Sequence, residues 1–432
     1  MRKLLLGSTA VAAAALFAPG GASAQTLSSD AFGSTMAGPS ASLRGLEVRI
    51  GGYYRAMYNY TRQENVNVPG AAVGSSDFSN EVEIHVLASG KAANGLRYGA
   101  ALEIENDAWR NPANLTGNAS AAGQKNTLDY DEAWAYLAGA WGQIRFGDED
   151  GAIGQLQSGH ITGFGVGGLD SGDQNQQVIG GNYRRNLVGV NDLGDNTKLI
   201  YLSPQFFGFD AGASFAFNTN EGPLSGCDAV STTTVTQCDR LAVSPTFNNR
   251  RRNEIQAAVR WRGSFGPVGA AATVGYIGAD AVRNASGPSA DRLNMLWAGA
   301  TATAYGFTVG GWYERGNFNG NFNTVQRDTA GARVDDRNGT AFLAGATYTI
   351  DAITVGGHFS TNWTAGSQSI ATTGRRDRGW AVGGNYRLAP GLDLFAEYLK
   401  FDIKETGFQF NNVGPSGSTK VDIVLTGFRV AF

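Results

Sequence analysis

The chain has 432 residues, 42% hydrophobic, 16% charged and 11% aromatic, with 61 glycines, 11 prolines and a formal net charge of −3. That many aromatics with so little charge argues against disorder, and the absence of a G-X-Y period argues against collagen. The small net charge gives no reason to expect nucleic acid as a partner, and the length, ordinarily two or three domains, also suits one large barrel.

The chain opens as a secretory leader. Arg2 and Lys3 precede an apolar run from Leu4 to Phe17, and Ala22-Ser23-Ala24 offers small residues for cleavage. Cutting after Ala24 removes two positive charges and no acid, moving the formal charge from −3 to −5. The apolar run is shorter than the ~20 residues of a spanning helix, and no later run is as apolar, so a mature chain in a membrane would cross it as strands. Residues 25–45 are small and polar and predict a flexible lead-in.

From Leu46 the period becomes two. Leu46, Val48, Ile50, Tyr54, Ala56, Tyr58 and Tyr60 alternate with Glu47, Arg49, Arg55 and Asn59, which is a strand with one apolar and one wet face. Phe78–Ala88 sets Val82, Ile84 and Val86 against Glu81, Glu83 and His85, and Leu96–Asn106 sets Tyr98, Leu102 and Ile104 against Arg97, Glu103 and Glu105. Strands follow at Leu128–Ala138 and Trp141–Gly147, then near 197–203, 207–217, 253–263, 266–277, 293–304, 306–315, 340–350, 352–362, 378–388, 391–402 and 420–432. Parity aims Arg49, Arg55, Arg97 and Arg145 to the wet face, and Arg260 and Arg262 from a later strand.

The connections alternate between tight and long. Gly139-Ala140, Pro204-Gln205, Gly263-Ser264-Phe265, Tyr305-Gly306, Asp351 and Ala389-Pro390-Gly391 are the tight turns; 61–77, 107–126, 148–196, 218–252, 278–292, 316–339, 363–377 and 403–419 are the long loops. About sixteen strands with short turns on one rim and long loops on the other predict an all-β fold, a 16-stranded antiparallel transmembrane β-barrel over 46–432. Closure is required because lipid satisfies no free backbone group. Tyr54, Tyr58, Tyr60, Trp134, Tyr136, Trp261, Tyr276, Trp297, Tyr313, Trp380, Tyr386 and Tyr398 are expected on the apolar face near strand ends, as interfacial girdles.

The longest of the early loops, 148–196, reads as neither strand nor helix. Segments of that length in a compact domain are usually functional or disordered, and its first half carries Asp148, Glu149, Asp150, Asp170 and Asp173 before any Lys or Arg. The expectation is that it folds into the barrel as a constriction. Its acids would face Arg49, Arg55, Arg97 and Arg145, and a transverse field focused by low-dielectric walls would filter polar solutes. The lumen also carries Glu81, Glu83, Glu103, Glu105, Asp129, Asp131, Asp393 and Glu397, which lean selectivity toward cations.

Residues Asp131-Glu132-Ala133-Trp134-Ala135-Tyr136-Leu137, then Trp141-Gly142-Gln143-Ile144-Arg145-Phe146-Gly147-Asp148-Glu149-Asp150-Gly151, resemble the strand pair that leads into the third loop of general bacterial porins, particularly the alphaproteobacterial type. The end, Val424 to Phe432, resembles the terminal strand of outer-membrane proteins, and Val48-Arg49-Ile50-Gly51-Gly52-Tyr53 is similar to porin first strands. The resemblance implies a Gram-negative outer-membrane homotrimer passing small hydrophilic solutes and ions. It also implies insertion by the outer-membrane assembly machinery, with Phe432 as assembly signal, and an inward third loop. Two features depart from it: the long lead-in and the cysteines of the fourth loop.

Cys227 and Cys238 lie close together in a polar loop, and an exported chain would join them as a disulfide. Gly163, Gly165 and Gly168 match a dinucleotide fingerprint only literally, since no strand–helix context surrounds them; no cofactor is expected. Asp148-Glu149-Asp150 offers oxygen ligands of the kind Ca²⁺ takes, although an ion-free acidic turn is the stronger expectation. Arg250-Arg251-Arg252 and Arg375, Arg376 and Arg378 lie at outer loop positions where lipopolysaccharide phosphates or loop acids are one kind of partner and solvent another. A hydrolase needs a base beside its nucleophile, and His85, His160 and His358 show no such spacing, so no enzyme is expected. The alternatives to a general channel are a substrate-specific channel and, behind it, a barrel hydrolase.

Overall fold

The computed structural model describes residues 40–43, 45–64, 74–106, 129–170, 196–218, 243–244, 251–284, 291–318, 339–366, 374–405 and 417–432. The expected signal segment, Cys227, Cys238, Asp173 and Arg250 lie outside the described residues.

The wall begins with β1 (Leu46–Gln63), β2 (Ser76–Lys91), β3 (Arg97–Glu105), β4 (Asp129–Gly139) and β5 (Gly142–Asp148). It continues with β6 (Thr197–Leu202), β7 (Phe209–Ala216), β8 (Arg251–Phe265), β9 (Val268–Ala281), β10 (Leu293–Ala304) and β11 (Phe307–Asn317). β12 (Gly339–Ile350), β13 (Ile353–Thr364), β14 (Arg375–Ala389), β15 (Leu392–Glu405) and β16 (Ser418–Ala431) complete it. Each strand pairs antiparallel with its chain neighbours, and β16 pairs with β1 from Val421↔Gln63 to Ala431↔Tyr53. Sixteen strands thus close into a ring among the described residues, so no strand edge meets lipid.

The seam closes with the last residue. The Phe432 amide donates to the Gly52 carbonyl and the Gly52 amide to the Phe432 carbonyl, both at 3.1 Å. Beyond that point β1 continues past the end of β16, and Ser40–Leu43 pairs with Leu46–Arg49 there. Four residues of the expected flexible lead-in are therefore strand, because the overhanging edge of β1 still has backbone groups to satisfy.

Outward positions carry large apolar groups: Tyr54, Tyr58, Leu102, Phe146, Val274 and Leu296 are exposed, whereas Arg55, Glu83, Glu103 and Arg145 on the other face are buried. Three expected girdle residues point inward instead. Trp134, Tyr136 and Trp297 are buried. For the first two the cause is a bulge: Leu102 opposes Ala133 while Ile104 opposes Tyr130, so one extra residue reverses the parity of the rest of β4. For Trp297 the cause is that β10 is apolar on both faces.

Two turns also fall later than expected. The β7 hairpin turns at Phe207-Gly208 (φ 51° and 86°) rather than at Pro204-Gln205, because paired positive φ values match the twist of the flanking strands. The β8–β9 turn is Gly266-Pro267, with Gly266 at φ 59°. The Tyr305-Gly306 turn stands where expected, at φ 50° and 84°.

Candidate functional site: a loop laid on the inner wall

The segment after β5 turns back into the barrel and follows its inner wall. The Glu149 carbonyl accepts from Lys198 Nζ on β6. The Ala152 amide donates to Ser214 Oγ on β7 at 3.1 Å and the Ile153 amide to Gln256 Oε1 on β8 at 3.2 Å. Thr273 Oγ1 on β9 donates to the Leu156 carbonyl at 2.6 Å, and the Gly159 amide donates to Thr301 Oγ1 on β10 at 2.8 Å. Farther round, Trp312 Nε1 on β11 donates to Asp170 at 3.2 Å and the Leu169 amide to His358 Nε2 on β13 at 2.8 Å. Asn385 on β14 exchanges hydrogen bonds with Gly165, and the Val166 amide reaches Glu397 Oε2 on β15 at 3.0 Å. Contacts from β6 to β15 leave the loop inside the ring.

Apolar packing drives this course. Ile153, Leu156, Ile161, Phe164, Val166 and Leu169 share a buried cluster with wall residues Ile277, Met295, Trp297, Trp312, Leu343 and Phe395. Each loop side chain so covered contributes about 1.5–3 kcal/mol. Ala152–Leu156 is a short helix, α1, where neither helix nor strand was expected; with Ala152, Ile153 and Leu156 buried, five residues satisfy the wall without showing a helical period in sequence. The loop touches the wall where side chains are missing. A Cβ on Gly299 would stand 1.8 Å from the Ser158 carbonyl oxygen, and one on Gly159, at φ 103°, 2.1 Å from that of Gly311.

A family model described as Gram-negative porin matches residues 9–406. The chain belongs to the Gram-negative porin family. Among solved structures, this porin is similar to the anion-selective porin from Comamonas acidovorans, with 16% identity, 90% of this chain and 100% of that chain covered, and a TM-score of 0.53. It also matches a triple mutant of Rhodopseudomonas blastica porin, with 15% identity, 89% and 100% coverage, and a TM-score of 0.48. No curated protein matches the chain. The porin is an outer-membrane channel protein.

Its expected constriction residues are placed as follows. Arg145 on β5 binds Glu149 at 2.7 Å and Gln155 at 3.0 Å, and its guanidinium lies 4.4 Å over the Trp134 ring. Arg97, Arg145 and Arg49 all act electrostatically on the Tyr136 hydroxyl, so three of the four arginines gather on one patch of wall. Arg49 also pairs with Glu47 at 2.8 Å and is partly exposed. Arg55 lies apart: it is buried against Glu81 at 2.7 Å and shares the Tyr53 ring with Arg429. Arg260 and Arg262 face inward, both on Asp210.

Among the described residues the loop acids take separate partners. Asp148 accepts from Thr197, and Glu149 accepts from Arg145 and Gln155, so these two turn to different partners rather than toward a shared ion. Asp150 is half-buried beside Gly154. Asp170, within the loop, is fully buried and bonded to His160 and Trp312. Burial by itself would raise its carboxyl, but the His160 charge and hydrogen bond, with the Trp312 hydrogen bond, bring it net below the ordinary value.

Sequence reasoning missed the histidine contacts. His160 stacks on Trp297 with ring centroids 6.1 Å apart and has Asp170 as its orienting carboxylate. Ser158 bonds Thr273 at 2.9 Å rather than the ring, so the pair a hydrolase needs is not assembled there. On the wall from β2 to β4, the buried Glu83, His85 and Glu103 bring ligand-type atoms within 4.8 Å of one another, as do Glu103, Glu105 and Asp131. Alternation in β2 and β3 is the signal that places them on one face.

Proposed function

We propose that this porin is a general channel for passive diffusion of small hydrophilic solutes and ions, narrowed by the third loop. The observation that carries the reading is the run of hydrogen bonds between the loop backbone and lumen-facing side chains of eight strands between β6 and β15. A loop anchored so continuously takes up part of the cross-section and leaves the β16–β5 wall as the other side of the path.

The filter is the charge of the wall beside that path. Arg49, Arg97 and Arg145 around Tyr136 supply positive field, and Glu81, Glu83, Glu103 and Glu105 on the neighbouring wall supply negative field. Polar solutes align in such a field; apolar ones displace ordered water without return. The excess of acid over base in the mature chain leans the channel to cations. A lumen of mixed sign, with no ladder of one charge, favours a general over a substrate-specific channel. Trimer formation, lipopolysaccharide at the outer rim, delivery by the assembly machinery and a Cys227–Cys238 bridge are further parts of the proposal.

The test is the reversal potential of the reconstituted channel in a salt gradient, for the parent and for Arg49→Ala with Arg97→Ala. Removing two wall cations is expected to shift it toward cation selectivity. An unchanged reversal potential refutes the assignment.

A further inference from the structure

The far half of the loop, Ile161–Leu169, is held by two ionisable wall residues, and the chemistry of one of them admits only one protonation state. His358 projects inward from β13. Its Nδ1 lies 2.7 Å from the Ile161 carbonyl, and its Nε2 receives the Leu169 amide at 2.8 Å. A carbonyl only accepts and an amide N–H only donates, so Nδ1 carries the proton and Nε2 carries none. A second proton on Nε2 would set one N–H against another. Beside it, Glu397 Oε2 accepts from the Val166 amide at 3.0 Å and the Gly168 amide at 3.2 Å, which suits the ionised carboxylate.

We propose that His358 and Glu397 are positioning residues forming a protonation-sensitive latch, which holds Ile161–Leu169 on the wall while His358 is neutral and releases it into the lumen when His358 takes up a proton. This deepens the reading of the loop as the constriction and rests on it.

The surroundings of His358 favour such a transition. Phe164 packs edge-on with centroids 5.1 Å apart. Across the strands, Gly345 and Ala381 face His358 and carry no charge. The charged groups come from the loop and the farther wall: Asp170 interacts electrostatically with His358, His160 lies beyond Asp170, Glu314 on β11 acts on Asp170, and Glu397 stands on β15. Nearby acids attract a proton to the ring, and the attached loop has no place for it.

The sign follows from linkage. The attached loop binds one proton fewer than the released loop, so attachment is complete above the ordinary imidazole value of about 6.5 and is lost as pH falls below it. With one proton coupled, the released fraction rises about tenfold per pH unit.

The experiment compares the parent and His358→Gln, refolded in lipid nanodiscs or planar bilayers, each against its own behaviour at pH 8. Glutamine keeps an acceptor for Leu169 and does not titrate. Two readouts are followed from pH 8 to pH 5: amide hydrogen exchange across 161–170, corrected for intrinsic rates, and single-channel conductance. In the parent, exchange is expected to accelerate about tenfold per unit below about pH 6.5, with brief drops in the single-channel conductance becoming more frequent in proportion as the loop enters the lumen; in His358→Gln the steep limb disappears. Equal pH profiles for exchange in the two proteins overturn the latch. Parent-specific acceleration of exchange with flat conductance supports the latch and instead counts against the loop as the constriction. If His358→Gln does not refold, Glu397→Gln gives the second arm: its amide protection at pH 8 should be lower across 165–168, and full protection overturns the proposal.

Discussion

Gly299→Ala tests how closely the loop is seated. The added methyl would stand 1.8 Å from the Ser158 carbonyl oxygen. Carbon and carbonyl oxygen approach to about 3.3 Å at closest, so the loop must withdraw by about 1.5 Å or the strand must distort. That retreat stretches the Ser158–Thr273 contact at 2.9 Å and the Gly159–Thr301 bond at 2.8 Å beyond hydrogen-bonding range. Losing both costs about 1–3 kcal/mol of attachment, a roughly five- to hundredfold rise in the detached fraction at this point of the wall. The barrel ladder itself needs no side chain at 299, so the strand pairing should survive. Single-channel conductance in planar bilayers is expected to fall and grow noisier, and limited proteolysis should cut within 152–165 faster. Unchanged conductance with unchanged protease resistance would refute the reasoning, because the close contact would then not exist.

Arg145→Ala removes the contacts to Glu149 and Gln155; exposing one uncompensated buried acid should cost about 3–5 kcal/mol, seen as earlier thermal loss of the folded form on gel electrophoresis. Asp170→Asn should remove an acid-driven loosening of the loop. Since the parent carboxyl is held below its ordinary value, its contribution is complete above about pH 3.9 and fades below it, and exchange of the 161–170 amides between pH 5 and pH 2 checks this. Ile161→Ala should weaken the apolar seat of the loop by about 2–5 kcal/mol, read as faster exchange in the same segment. Intact mass before and after reduction should differ by two hydrogens if Cys227 and Cys238 are joined.

The wall was legible in the residues because a period of two survives in most strands: Tyr54, Tyr58, Glu83 and Glu103 all face the side that alternation assigns them. It failed at β4, where one bulged residue turns Trp134 and Tyr136 inward, and bulges leave no mark in hydrophobic pattern. The loop's entry into the barrel was expected from its acids. Its apolar residues Ile153, Leu156, Ile161, Phe164, Val166 and Leu169, which share no clear period, also seat it. Their counterparts on β10 and β11, Met295, Trp297 and Trp312, are buried on the inner face, whereas alternation assigns Trp297 to the outer one. The partners of His160 and His358 lie ten or more residues away in sequence and across the barrel, beyond any spacing rule.

The central claim is that the third loop lies against the inner wall of a closed barrel, and a cross-link tests it most directly. A Cβ at Gly275 would lie 2.8 Å from Ile153 Cγ1, which places the two Cβ atoms no more than about 4.3 Å apart, inside the range a disulfide needs. In a background with Cys227→Ser and Cys238→Ser, Ile153→Cys with Gly275→Cys should oxidise to near completion in the refolded channel. The bond should leave the folded barrel intact on unheated gels and resist a bulky maleimide added from outside. Two free thiols in a folded barrel, both labelled by that reagent, would put the loop outside the lumen and contradict the account.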